Sequence, residues 1–133
     1  MCLDRELSQK QFNKIKSEAQ RRGYIRVWKV CSEKRTGWCF VLEWKKGLRK
    51  AEYSERCDSG WYAYLSLEEA KQKMECWVFH YIKVCYAKPS WIKRLGKDGS
   101  FEVGVFTHLV FPDWAKGDMT IREFRAECRK EKP

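Results

Sequence analysis

The sequence predicts an α+β fold: a mainly antiparallel sheet of five or six strands with three helices packed against it, built as one domain from residues 1–133. Three observations carry this. Helix-start chemistry occurs three times, at Ser8 with Gln11, Ser66 with Glu69 and Thr120 with Glu123, each a hydroxyl residue followed three positions later by Glu or Gln. Between these starts lie runs of β-branched and aromatic residues, several at two-residue spacing and joined by connections too short for parallel crossovers. No linker, internal repeat or break in composition divides the chain.

Taken in order, the first helix is expected over about Gln9–Arg22. Phe12, Ile15 and Ala19 share one face, and Gly23 follows as a stop, with Arg21 and Arg22 set against the negative end of the helix dipole. Tyr24 to Cys31 reads as a strand with Ile25 and Val27 on one face and Arg26 and Trp28 on the other. Trp38 to Trp44 reads as a second strand, Lys45-Lys46-Gly47 as a hairpin turn, and Leu48 to Ser54 as a third, giving an antiparallel meander. Gly60 opens a short aromatic strand, Trp61 to Tyr64, and Ser66 starts a helix of about three turns from Leu67 to roughly Cys76. A strand from about Val78 to Tyr86 carries His80 and ends before Pro89, which cannot donate to a ladder. The stretch around Trp91 reads as a surface loop. Phe101, Val103, Val105, Thr107, Leu109 and Phe111 alternate cleanly and predict one long strand, and Ile121, Phe124 and Cys128 give the last helix its apolar edge.

The totals bound the function. Among 133 residues, 44% are hydrophobic and 15% aromatic, too apolar for a disordered chain despite 35% charged residues. No apolar run approaches a membrane span, and Met1 to Glu6 carries charges where a signal peptide needs an apolar stretch, so a cytoplasmic address is expected. Seven cysteines are then expected to be reduced, with Cys31, Cys39, Cys76 and Cys85 packing as small apolar side chains on strand-like runs. These cysteines form no close pair and the only histidines are His80 and His108, so no metal site is expected. Neither histidine sits in a signature for nucleophilic catalysis, and Lys97-Asp98-Gly99-Ser100 is a turn without the glycine array of a phosphate loop.

Twenty-eight Lys and Arg against 18 Asp and Glu give a formal charge of +10, which predicts attraction to nucleic acid or to an acidic protein surface. Two segments combine cations with rings. Lys45, Lys46, Arg49 and Lys50 follow Trp44, and Lys93, Arg94 and Lys97 follow Trp91. Cations hold a phosphate backbone while exposed rings stack on bases, the pairing used by single-strand binders. The expected function is therefore a binding module for an anionic partner, RNA, single-stranded DNA or a nucleoprotein complex, with no cofactor. A protein-only inhibitor or scaffold that binds an acidic protein surface is the alternative.

Two resemblances add to this reading. Tyr24-Ile25-Arg26-Val27, then Gly60 to Ser66 ahead of the Glu68-Glu69-Ala70 helix, then Glu102 before a long strand, resembles a reduced ADP-ribosyltransferase layout over about half the chain. That resemblance implies an NAD-using enzyme with Arg26, Tyr64 or Ser66 holding the dinucleotide and Glu102 polarising the ribose. The strand, capped helix and strand in a short basic chain also resemble accessory proteins of phages and mobile elements. Such proteins bind and block host defence machines, CRISPR effectors among them.

Overall fold

The first helix, α1 (Gln9–Arg22), forms where the capping chemistry places it. Ser8 Oγ accepts from the Gln11 backbone N–H at 3.2 Å, and Gln11 Oε1 accepts from Ser8 N–H at 3.3 Å. Gly23 ends it at φ 87°, a left-handed conformation that a side chain would strain, and donates its N–H to the Ala19 carbonyl at 2.8 Å. The computed structural model describes residues 5–31, 35–36, 42–51, 60–75 and 81–130. Cys39, Cys76, His80, most of the expected second strand, the end of the third and the start of the His80 strand lie outside them.

The strands are β1 (Arg5–Glu6), β2 (Ile25–Cys31), β3 (Arg35–Thr36), β4 (Leu42–Glu43), β5 (Gly47–Lys50), β6 (Trp61–Tyr64), β7 (Tyr81–Ala87), β8 (Ile92–Asp98), β9 (Phe101–Phe106) and β10 (His108–Phe111). The other helices are α2 (Leu67–Glu75) and α3 (Ile121–Cys128). Eight strands form one sheet in the order β1-β8-β9-β6-β2-β7-β10-β5, while β3 and β4 pair separately. Every pairing is antiparallel. Among the described residues the α+β class with three helices holds, but the main sheet has eight strands rather than five or six.

Three local readings are corrected. Residues 45–47 do not turn a β-hairpin between β4 and β5, because β4 pairs with β3 and β5 pairs with β10. Residues 92–98 are a strand, β8, rather than a surface loop, preceded by a 3-10 turn at Pro89–Trp91. The long run 101–111 is broken at Thr107 into β9 and β10.

That break shapes the sheet. β6, β2 and β7 lie between β9 and β10 in strand order. Four inter-strand steps of about 4.8 Å would hold β9 and β10 about 19 Å apart in a flat sheet. Yet Phe106 and His108 are two residues apart, at most about 7 Å. The sheet must therefore curl until its flanks meet along 101–111, as a partly closed barrel. Val27, Trp61, Cys85, Phe106, Leu109 and Phe111 form one buried cluster. Lys29, on the same face of β2 as Val27 and Cys31, is also buried and donates to the Tyr62 carbonyl at 2.6 Å. Cys31 and Cys85 are buried and not disulfide-bonded.

A second cluster lies on the other face of β6 and β9, where Tyr62, Tyr64, Val103 and Val105 meet Ala70 of α2. All four residues of β6 are buried because this strand is covered on both faces. The cap of α2 is half of a box: Ser66 Oγ accepts from Glu69 N–H at 3.3 Å, while Glu69 Oε1 accepts from Glu102 N–H at 3.0 Å and so ties the helix to β9. No helix among the described residues is long and apolar enough to cross a membrane.

Candidate anion-binding face

The two ring-and-cation segments are not assembled as the sequence suggests. Trp44 is buried, its indole N–H donating to the Pro112 carbonyl at 2.8 Å and its ring edge-on to Phe111 and Trp114. Trp91 is buried between His108 and Phe124, with the Lys88 ammonium over its face. Neither ring is available to stack on a base, which corrects that part of the reading. Burial wins because each ring removes about 150–250 Å² from water and the curled sheet offers both a site inside.

The cations themselves divide. Lys45, Lys46 and Lys50 are exposed beside or on β5, at one end of the strand order. Arg49 is half-buried, its guanidinium 5.0 Å from the centroids of both Trp61 and Phe111, and it donates to the Glu43 carbonyl at 3.0 Å. Lys93, Arg94 and Lys97 lie on β8, one strand from the other end. Arg94 Nε donates to Glu6 Oε1 at 2.9 Å, and Lys97 faces Arg5 across the β1–β8 ladder.

The residues of the ADP-ribosyltransferase resemblance are also placed. Arg26 is exposed on β2, and Tyr64 is buried edge-on to Tyr62 and Phe101. Tyr64 pairs with Trp28, which shares its face of β2 with Arg26. Ser66 caps α2. Phe101, Val103 and Val105 share the face under α2 with Tyr64, so two-residue alternation sets Glu102 on the opposite face. Arg26, Tyr64 and Glu102 are thus not gathered around one pocket.

Another set of cations does come together, on α3. Thr120 Oγ1 accepts from Glu123 N–H at 3.1 Å and Glu123 Oε1 accepts from Thr120 N–H at 3.0 Å, a complete capping box. Phe124 is the helix's buried anchor, packed on Tyr24, Tyr86 and Trp91. With that face inward, a 100° step per residue sets Arg122, Arg125 and Arg129 within an arc of about 60° on the outside. All three are exposed. Glu123 and Glu127 fall outside that stripe and are held by lysines, Lys116 at 2.8 Å and Lys130 at 3.0 Å.

The stripe borders a groove of about 530 Å³ between the C-terminal ends of α1 and α3. Lys88, Arg125 and Arg129 line it, over a floor that includes Pro89, Phe124 and Cys128, and no carboxylate of the described residues does. Arg21 and Arg22 lie between Gln20 and Gly23, two residues that also line the groove. A methyl group placed on Gly23 would lie 3.8 Å from an Arg125 guanidinium nitrogen, so the two helix ends are in contact range. The helix C-termini there together amount to about one negative charge, which five cations exceed. Part of this was readable beforehand: Arg122, Arg125 and Arg129 recur at i, i+3 and i+7. That α1 ends beside α3 is a long-range fact with no local signal.

A second opening adjoins the start of α3. It is a cleft of about 740 Å³ lined by Arg26 and Trp28 of β2, Ile82 and Val84 of β7, Leu67 and Lys71 of α2, and Lys116 to Asp118. Trp28 is partly buried there, packed on the second core cluster. The wall formed by residues 113–119 is pinned. Asp113 accepts the Ala115 N–H at 2.9 Å in an Asx turn, Gly117 turns at φ 77°, and the Tyr86 hydroxyl donates to Asp118 Oδ1. Burial first, then the Asp118 carboxylate, pushes the Tyr86 phenol up to about 12, while the same hydrogen bond holds the Asp118 carboxyl below its usual range. Lys116, and next the Thr120 N–H, hold the Glu123 carboxyl down at about 2. No protein-family model, curated protein or solved structure matches this chain, so the face is read from its own residues.

Proposed function

We propose that this protein is a binding module for the phosphate backbone of a nucleic acid, free or within a nucleoprotein complex, and that it binds through the α3 face. The observation that carries the reading is the groove lined by Lys88, Arg125 and Arg129 without a carboxylate among the described residues, continued along α3 by Arg122. Guanidinium groups suit phosphate because their fixed fork of donors makes paired hydrogen bonds to its oxygens. The formal charge of +10 supplies long-range attraction to the same class of partner. A nucleoprotein partner, which the resemblance to phage accessory proteins implies, presents the same phosphates.

The experiment is fluorescence anisotropy of a labelled oligonucleotide across a salt series. Each phosphate neutralised contributes about 0.7 to 0.9 to the slope of log K against log salt. Replacing Arg122, Arg125 and Arg129 together with Gln should weaken binding and flatten the slope by about 2. An unchanged slope removes α3 from the interface. A partner captured equally well after nuclease digestion favours an acidic protein surface instead.

A further inference from the structure

We infer that the cleft floored by Trp28 receives an unpaired base, so that the nucleic acid bound by this protein is single-stranded; this rests on the phosphate reading of the α3 face. The cleft has the size of a small-ligand site, about 740 Å³. Its floor is apolar and aromatic, with Trp28 and Val84 directly paired across the β2–β7 ladder. Its rim carries Arg26, Lys71 and Lys116, of which Lys116 is paired with Glu123 at 2.8 Å and Lys71 lies 3.8 Å from Glu68, and one lining carboxylate, Asp118, which accepts from Tyr86. A flat ring attached to an anion fits both parts, with the ring on Trp28 and the phosphate among Arg26 and Lys71. An acidic peptide carries charge without such a ring, and a duplex keeps its bases stacked inside.

The cleft also lies close to the cationic groove. Gly23 lines the groove and Arg26 lines the cleft, three residues apart and therefore within about 10 Å. Lys116, on the cleft rim, is bonded to Glu123 in the first turn of α3, beside Arg122. The wall of the cleft is already fixed by Asp113, Gly117 and the Tyr86–Asp118 bond, so little ordering is left for a ligand to impose. Trp28 thus takes the stacking role that Trp44 and Trp91 cannot fill.

The test compares a single-stranded oligonucleotide with the duplex of the same sequence, using the whole protein and its Trp28→Leu and Trp28→Phe variants, each first shown to be folded by its thermal transition. Loss of one base–aromatic stack corresponds to roughly a 5- to 140-fold weaker single-strand affinity in Trp28→Leu. The salt slope and the duplex affinity should not change, and Trp28→Phe should retain most of the binding. Equal loss for strand and duplex, or no loss for either, overturns the inference. If the arginine variant abolishes binding while Trp28→Leu does not, the phosphate reading stands and the base site falls. If the wild-type protein binds neither form, the phosphate reading falls. The cleft is then judged by titrating adenosine monophosphate and following the Trp28 indole N–H by NMR, where a saturable shift supports a base site and an unmoved signal rejects it.

Discussion

Gly104→Ala tests the core packing over β9 without touching the proposed interface. Gly104 lies in β9, buried, with a backbone conformation that alanine also adopts, so the substitution adds one methyl group and little backbone strain. That methyl would sit 2.7 Å from both Cε2 and Cζ of Phe106 and 3.2 Å from Leu95 Cδ2. Optimal carbon contacts are about 3.5–4.0 Å, so the Phe106 ring must move by nearly 1 Å in a site where it is fully buried. Overpacking of this kind costs about 1–3 kcal/mol, and the stiffer unfolded chain returns about 0.4–1 kcal/mol. The net loss is then about 1–2 kcal/mol, or a fall in Tm of roughly 4–8 °C for a chain of this size. Urea and thermal unfolding measure it. Adding Phe106→Leu removes the clashing ring atoms, so the double variant should be clearly less destabilised than the sum of the singles. A Gly104→Ala protein as stable as the wild type would refute the close packing of the Phe106 ring and Leu95 over Gly104.

Two further outcomes follow from α3. Thr120→Ala removes the hydroxyl that accepts from Glu123 N–H and should lower stability by about 1 kcal/mol, read from the urea midpoint. The same variant should weaken oligonucleotide binding, because the arginine stripe depends on a formed helix; an unmoved midpoint would show the cap to be idle. The Glu123 carboxyl, held down at about 2 by Lys116 and Thr120, lies below its unfolded value of 4.5. A group with a depressed folded pKa stabilises the fold fully above the unfolded value, and that contribution drains away as pH falls toward the folded one. Stability should therefore decline from pH 5 to about 2, and less steeply in Glu123→Gln. An equal decline in both proteins would contradict the assignment.

What could be read in advance divides by the range of the interactions. The caps of α1 and α3 and the stop at Gly23 are satisfied within four residues, and they lie where Ser8, Thr120 and Gly23 put them. β2 also declares itself, because Val27 and Cys31 face inward while Arg26 and Trp28 face outward. β8 does not, since Lys93, Arg94, Gly96 and Lys97 leave it only scattered apolar residues; its pairing with β9 is what makes it a strand. The break at Thr107 is invisible to alternation, which continues unbroken from Phe101 to Phe111, because it follows from which strands lie on either side. The fate of Trp44 and Trp91 is likewise long-range: a tryptophan beside lysines reads as a binding surface until Pro112, Phe111 and Phe124 are seen to cover it. The arginine stripe was readable from its spacing, but its neighbour Lys88 comes from a distant turn.

The central claim is that nucleic acid lies across α3 rather than along the lysine-rich strands. An NMR map of backbone amide shifts on adding a short single-stranded oligonucleotide tests it most directly. The shifts should gather at residues 20–26, 88–90 and 116–130. Shifts confined to 45–50 or 93–97, with α3 unmoved, would contradict it.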